Sequence, residues 1–160
     1  MTVLAWVLGL LLPACGAPGA QGLPVPPPMD FAQFVRPASP NTALAAPAGF
    51  RPAPDLVTPT YHVPAPALFA AIRAVAAAQP GTYQAADYPD RLQDHWVARS
   101  AVFNFPDLVT AQVAPAGADA ATLVLYSRSV YGYGDFGANR KRLAAWLAAL
   151  QRTLPPASER

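Results

Sequence analysis

The distribution of proline constrains the fold of this chain more than any other feature. Of the 20 prolines, 14 lie between residues 13 and 66. Proline has no backbone N–H and a fixed φ, so it interrupts helices and central strands. The pattern predicts a proline-rich tether over residues 15–36, with an extended polyproline segment at 23–28, and ordered coil over most of residues 39–66. Regular structure is therefore expected mainly after residue 66.

The later part of the chain shows the periodicities of helices and strands. Leu68, Ile72 and Val75 are spaced i, i+4 and i+7, which predicts an amphipathic helix that begins after Pro64 and Pro66. A second amphipathic helix is predicted after residue 137, and its apolar face comprises Leu143, Trp146, Leu147 and Leu150. Strands are predicted at residues 57–62, 82–88, 92–103, 108–113 and 122–130.

These elements follow one another in the order β-α-β-β-β-β-α. Four consecutive strands joined by short turns imply an antiparallel sheet. Both helices have one apolar face, so they are expected to cover one face of that sheet. The predicted fold class is α+β, a single two-layer domain over residues 37–152, followed by a disordered tail at 153–160.

The amino terminus has the pattern of a signal peptide. Residues 1–12 are apolar and carry no charged side chain. A membrane-spanning helix needs about 20 apolar residues, and here Pro13 interrupts the run. The sequence Leu12-Pro13-Ala14-Cys15 resembles the lipobox of bacterial lipoproteins. Two features depart from that pattern: Pro13 stands where Ala or Ser is usual, and no Lys or Arg precedes the run.

The lipobox resemblance implies that a signal peptide at residues 1–14 is removed and that Cys15 is acylated. Cys15 is the only cysteine, and an unpaired thiol is otherwise unusual in an oxidising compartment. The protein is therefore expected at the periplasmic face of the cell envelope, held in the membrane by its acyl anchor. Gly16 is not the Asp that commonly retains lipoproteins at the inner membrane, which favours the outer membrane. An ordinary signal peptide cut near Ala17 or Ala20, and an uncleaved anchor, remain alternatives.

Composition excludes several classes of function. The net charge is +2 and only 12% of the residues are charged, so the basic cluster of a nucleic-acid-binding protein is missing. One cysteine and two histidines exclude a disulfide framework and a Cys/His zinc site. Gly132-x-Gly134-x-x-Gly137 formally matches a dinucleotide fingerprint, but no parallel strand is predicted after the next helix. We therefore predict no cofactor or metal, and we assign no catalytic residue.

One group of polar residues stands out in a chain that is poor in charge. Arginines within apolar strands need partners, and the group could form either a structural lock or an anion-binding site. In the first interpretation, Arg99 or Arg128 pairs with Asp107 or Asp135 and fixes the last helix to the sheet. In the second, arginines and helix N–H groups bind a phosphate, a carboxylate or a lipid headgroup. The candidates are Arg99, Asp107, Arg128, Asp135, Asn139 and Arg140, with Gly132 and Gly137 as glycines of a structural turn.

The same region carries a family resemblance. Residues 126–142, YSRSVYGYGDFGANRKR, resemble the signature of the domain of unknown function 1499 family. Residues 98–109, with Phe-Pro-Asp at 105–107, resemble its middle block, and Ser-Pro-Asn at 39–41 resembles its opening. The matching signature positions are Gly132, Asp135, Gly137, Asn139 and Arg140. The departures are Val130 for a common Arg, Gly134 for a common Ser and Thr42 for a common Cys.

The resemblance implies an envelope protein whose activity is not established, and it brings no catalytic residue. From the sequence, the favoured function is an exported lipoprotein whose domain is a non-enzymatic binding or interaction module. Its expected partners are the membrane, through the acyl anchor, and an unknown envelope protein or a small ligand, but not nucleic acid. The alternative is an enzyme with a polar site around Arg128, Asp135 and Arg140.

Overall fold

The computed structural model describes residues 13–154. The predicted signal peptide therefore lies almost entirely outside the described residues, as does most of the predicted tail. Within the described residues, no helix is long and apolar enough to cross a membrane. The elements are, in chain order, α1 (Pro13–Gly16), β1 (Thr42–Pro47), β2 (Leu56–Thr58), α2 (Ala65–Ala77), β3 (Thr82–Tyr88), a 3-10 turn (Pro89–Arg91), β4 (Gln93–Arg99), β5 (Pro106–Gly117), β6 (Ala120–Ser129) and α3 (Ala138–Thr153).

The strands form a single six-stranded sheet in the order β2-β1-β6-β5-β4-β3. The predicted antiparallel meander is confirmed for β3 to β6, and β1 pairs antiparallel with β6. The sheet is nevertheless mixed, because β2 runs parallel to β1. Residues 48–55 carry the chain back along the edge of the sheet before β2 begins, so β2 enters in the same direction as β1. The α+β class is confirmed, and the purely antiparallel sheet is corrected.

Strand β1 was not predicted from the sequence, which indicated coil over this stretch. Its residues are buried on both faces of the sheet: Ala43 and Ala45 face the helices, whereas Leu44 and Ala46 face the other side. A strand that is buried on both faces lacks the alternation of polar and apolar residues that identifies strands in a sequence.

The main core lies between the sheet and helices α2 and α3. Both helices cover the same face, as predicted, and the rings of Trp96 in β4 and Trp146 in α3 meet edge to face with centroids 5.6 Å apart. The helices contribute a buried set comprising Leu68, Phe69, Ile72, Val75, Leu143, Trp146 and Leu150.

The second face of the sheet is covered by the amino-terminal segment, whose residues 15–36 the sequence indicated as a proline-rich tether. Phe31 packs on this face in a cluster with Leu44 and Tyr126. The buried Gln93 side chain accepts a hydrogen bond from the Met29 N–H at 2.7 Å and donates one to the Met29 carbonyl at 2.9 Å. Since the preceding prolines have no N–H to satisfy, they can lie against the sheet without unpaired donors.

Candidate functional site

The signature residues of the carboxyl-terminal region form a closed hydrogen-bond network centred on Asn139. Asn139 lies in the first turn of α3 and is fully buried. Its Nδ2 donates to the Asn41 carbonyl at 3.0 Å, to Ser129 Oγ at 3.0 Å and to Asp135 Oδ2 at 2.8 Å. Its Oδ1 accepts from Ser127 Oγ. One side chain therefore ties the start of β1, the end of β6 and the start of α3 together.

Asp135 caps helix α3. Its Oδ1 accepts from the Gly137 N–H at 2.9 Å, and its Oδ2 accepts from the Asn139 N–H at 2.8 Å. Partial burial alone would raise the pKa of Asp135, but the hydrogen bonds from Asn139 and Gly137 outweigh it and lower that pKa. Gly132 and Gly137 have φ of 84° and 76°, and this left-handed backbone is open to glycine without a steric cost.

An arginine–aspartate lock between the last helix and the sheet is present, but its arginine is Arg142. Arg142 Nη2 lies 2.6 Å from Asp107 Oδ2, and its Nη1 donates to Asn139 Oδ1 at 2.8 Å and to Ser127 Oγ at 3.0 Å. Sequence reasoning did not assign this role to Arg142 or Ser127. The spacing i, i+3 from Asn139 to Arg142 was the available signal, because it places both on one helix face.

The three arginines among the candidates lie in three different places. Arg99 is buried and donates to the carbonyls of Ala14 at 2.7 Å and Gln21 at 2.8 Å, and to that of Gly19. Burial lowers the pKa of the Arg99 guanidinium. Arg128 is exposed on the sheet face without helices, and the exposed Arg140 reaches only the Asp55 carbonyl, at 3.5 Å. Neither Arg99 nor Arg128 forms an ion pair with Asp107 or Asp135, so the predicted pairings are wrong.

Cys15 lies in α1 and is fully buried. Burial raises the pKa of its thiol, against the opposing charge of Arg99. The Asn104 side chain donates to the carbonyls of Cys15 and of Ala17, the latter at 3.1 Å. Arg99 and Asn104 thus hold the start of the described chain against the domain.

Two clefts border the region of the candidate residues. An open cleft of 430 Å³ is bordered by Arg36, Asp55, Asp135 and Arg140 among others. Within it, Arg36 and Asp55 form an ion pair at 2.7 Å.

A second cleft, of 220 Å³, lies between residues 26–29 and the sheet. Tyr126 borders it. Its buried hydroxyl makes no hydrogen bond of good geometry among residues 13–154, and the Thr42 side chain is a polar group beside it. His95 also borders it, with Nδ1 2.9 Å from Thr110 Oγ1 and Nε2 3.0 Å from Gln93 Oε1. Burial lowers the pKa of His95 to about 4, so the ring is neutral at pH 7.

We define the strap cleft as this second cleft, roofed by residues 26–29 and floored by His95, Leu108, Thr110, Tyr126 and Arg128. Its floor lies on the sheet face that the helices leave free. Sequence reasoning gave neither Tyr126 nor His95 a role in a site, because only the alternation along β4 and β6 indicates that the two share a face. Across the described residues, no three His, Cys, Asp or Glu side chains are grouped so that they could hold a metal ion.

Among the comparisons with known proteins, a family model agrees with the signature. The chain is similar to the di-domain ARO/CYC protein BexL of the BE-7585A biosynthetic pathway, with 14% identity, a TM-score of 0.48, and coverage of 70% of this chain and 45% of that one. The chain thus spans less than half the length of that structure. No curated protein matches it. The model of a family of proteins of unknown function, DUF1499, matches residues 35–150. The resemblance read from the sequence is thereby confirmed, and the chain belongs to the DUF1499 family.

Proposed function

We propose that this protein is an exported lipoprotein of the bacterial envelope, anchored through Cys15, and that its domain is a non-enzymatic binding module. The closed network around Asn139 is the observation that supports a non-enzymatic domain. Asn139 is fully buried, both oxygens of Asp135 accept hydrogen bonds, and Asp107 is paired with Arg142. A catalytic acid, base or nucleophile must reach substrate, and these groups are instead committed to one another.

The strap cleft is the place that best fits a small ligand. The space between the helices and the sheet is filled by the core, which leaves no room there for a ligand. Prolines and Leu108 give the strap cleft an apolar lining, and Arg128 lies at its border with an exposed charge. The buried Tyr126 hydroxyl, which lies beside Thr42 but makes no hydrogen bond of good geometry among the described residues, is a polar group of the kind that fixes a ligand's orientation. A small apolar molecule with one anionic or hydrogen-bonding group fits these properties.

The anchor is tested by Cys15→Ala in the full chain. Several acyl chains hold a protein firmly in a membrane, so loss of the acylated sulfur should move the protein from the membrane fraction to the aqueous fraction. The measurements are membrane fractionation and the mass of the mature amino-terminal peptide. Gly16→Asp is the matched control, since it leaves the cysteine in place and should stay acylated. The anchor would be refuted by a mature amino-terminal peptide of the parent protein that carries no acyl mass, or by membrane association that Cys15→Ala leaves unchanged.

The ligand is tested by native mass spectrometry of the full chain extracted from envelopes under mild conditions. The strap cleft is at the small end of ligand pockets, so we expect a retained mass below about 300 Da. Tyr126→Phe should lower its occupancy several-fold because it removes the hydroxyl. Tyr133→Phe, which changes an exposed tyrosine (77% exposed), should leave occupancy unchanged. A bare protein mass in every variant would contradict a small ligand and favour a module that docks a protein.

An enzyme around Asp135 and Arg140 is the second candidate, and the open cleft of 430 Å³ beside both residues favours it. Arg128 does not border this cleft, so the three residues of that hypothesis do not converge. In the cleft, Arg36 and Asp55 neutralise each other and Asp135 caps a helix. After these groups are accounted for, Arg140 remains, and it makes no ion pair among the described residues. A lone arginine is a poor basis for acid–base chemistry.

A further inference from the structure

Several loops and the amino-terminal segment meet at one end of the sheet. The register pairs Arg99 with Pro106, Asp107 with Ser129 and Thr42 with Arg128. The end of β4, the start of β5, the end of β6 and the start of β1 therefore lie at the same end. We call this the anchor end and define it by loops 100–105 and 130–137 together with residues 13–22.

The two loops of the anchor end expose aromatic side chains. Phe136 is 102% exposed, Tyr133 is 77% exposed and Phe103 is 41% exposed. Phe136 has a φ of 52°, and a bulky side chain in this region of φ is strained. Such strain is retained where the surrounding structure enforces it, and it is commonest at functional positions. The loop thus keeps a large apolar ring in solvent, although both the hydration of the ring and the strained backbone cost free energy.

Two exposed positive charges lie beside these rings, whereas the one neighbouring carboxylate, that of Asp135, accepts hydrogen bonds from the Gly137 and Asn139 N–H groups. Arg140 and Lys141 lie in the first turn of α3 and are exposed, and that turn contains no acidic residue. The partial positive charge of a helix amino terminus favours acidic side chains at this place. The helix itself therefore gains nothing from the two cations. Exposed aromatic rings next to cations are the composition that binds the headgroup region of a membrane.

The proposed acyl anchor emerges at the same end. The Ala17 carbonyl accepts from Asn104, and the Gly19 and Gln21 carbonyls accept from Arg99. Cys15 lies two positions before Ala17, and two extended residues span at most about 7 Å. Acyl chains on Cys15 would therefore hold the anchor end close to the bilayer, whatever position α1 takes after processing.

We propose that the anchor end lies on the surface of a phospholipid bilayer, with Phe136, Tyr133 and Phe103 at headgroup depth and Arg140 and Lys141 against lipid phosphates. This docking rests on the proposed function, since the acyl anchor supplies the proximity.

The test measures the depth of single introduced tryptophans in the acylated full chain, reconstituted in phosphatidylethanolamine and phosphatidylglycerol vesicles with brominated acyl chains. Phe136→Trp places the probe at the anchor end. Val57→Trp is the matched control, because Val57 is 65% exposed but pairs with Ala46 at the opposite end of the sheet. The native Trp96 and Trp146 are buried and give the same background in both variants. We expect bromine to quench the probe of the Phe136→Trp variant several-fold more than that of the Val57→Trp variant, and equal quenching would overturn the proposal.

A second measurement separates failure of docking from failure of the anchor. Cys15→Ala protein that lacks residues 1–14, the predicted signal peptide, is sedimented with the same vesicles, alone and with Tyr133→Ser and Phe136→Ser added. We expect the two serines to weaken binding about tenfold, and Val57→Ser to leave it unchanged. If the mass of the mature protein shows no acyl chains, the proposed function fails while this comparison still decides docking. Equal vesicle binding with and without the serines would refute docking on the membrane and point to a protein partner.

Discussion

Asn139→Ala should lower the free energy of unfolding by about 3 kcal/mol and the melting temperature by about 10 °C. The substitution removes the acceptor of Arg142 and Ser127 and the donor to Asn41, Ser129 and Asp135. Because Asn139 is fully buried, water cannot replace these partners without opening the packing of α3 on the sheet. Each buried polar group left without a partner costs about 1 to 3 kcal/mol. Urea unfolding followed by circular dichroism measures the change.

Arg140→Ala is the matched control for this substitution. Arg140 follows Asn139 in the chain and shares the family signature, but it is exposed and makes one long contact. Its replacement should change stability by less than about 0.5 kcal/mol. A stability loss in Arg140→Ala as large as that in Asn139→Ala would show that the lock has been assigned to the wrong residue.

Asp94 and His95 should make opposite contributions to the pH dependence of stability. The two adjacent residues of β4 are buried on opposite faces of the sheet. Burial raises the pKa of Asp94 to about 6, despite its ion pair with Arg73 at 3.1 Å. Burial lowers the pKa of His95 to about 4. Each shift of about 2 pKa units corresponds to about 3 kcal/mol between the two protonation states.

The sign of each contribution follows from whether the folded or the unfolded chain binds the extra proton. Between about pH 4 and 6.5 the unfolded chain is protonated at His95 and the folded chain is not, so this residue makes stability rise with pH. Between about pH 4 and 6 the folded chain keeps a proton on Asp94 that the unfolded chain has lost, so this residue makes stability fall with pH. In the parent protein the two contributions largely cancel.

Single substitutions should reveal each contribution. Compared with the parent, Asp94→Asn should gain about 3 kcal/mol more stability from pH 4 to pH 7, and His95→Gln should lose about 3 kcal/mol over the same interval. Other acids titrate equally in all three proteins, so the differences isolate the two residues. Urea unfolding at four pH values measures them. Parallel profiles of the free energy of unfolding against pH in the three proteins would contradict the effect of burial on the two pKa values.

Local patterns were sufficient to predict most of the fold. The helices have the 3.6-residue period that one-sided burial produces, and strands β3 to β6 were indicated by their β-branched and aromatic residues between turn signals. The observed β4 ends at Arg99, before the predicted end at residue 103, and β5 continues to Gly117, through the predicted hairpin loop. Strand β1 is buried on both faces, so no period marked it.

The membership of the polar cluster was predictable only in part. The motif identified Asp135, Asn139 and Asp107 by composition and spacing. Successive residues of a helix point about 100° apart, whereas residues three apart lie about 60° apart. Arg142 therefore shares the inner face with Asn139, and Arg140 points to solvent.

The sequence by itself determined the order of the main elements, the α+β class and the family, because these depend on local spacing and on a contiguous signature. Only the tertiary structure decided which arginine meets Asp107, that Arg99 and Gln93 bind the amino-terminal segment, and that two aromatic loops share one end with Cys15. Those pairings join residues far apart in the chain. Strand register and helix rotation fix them in three dimensions, and neither leaves a periodic signal in the sequence.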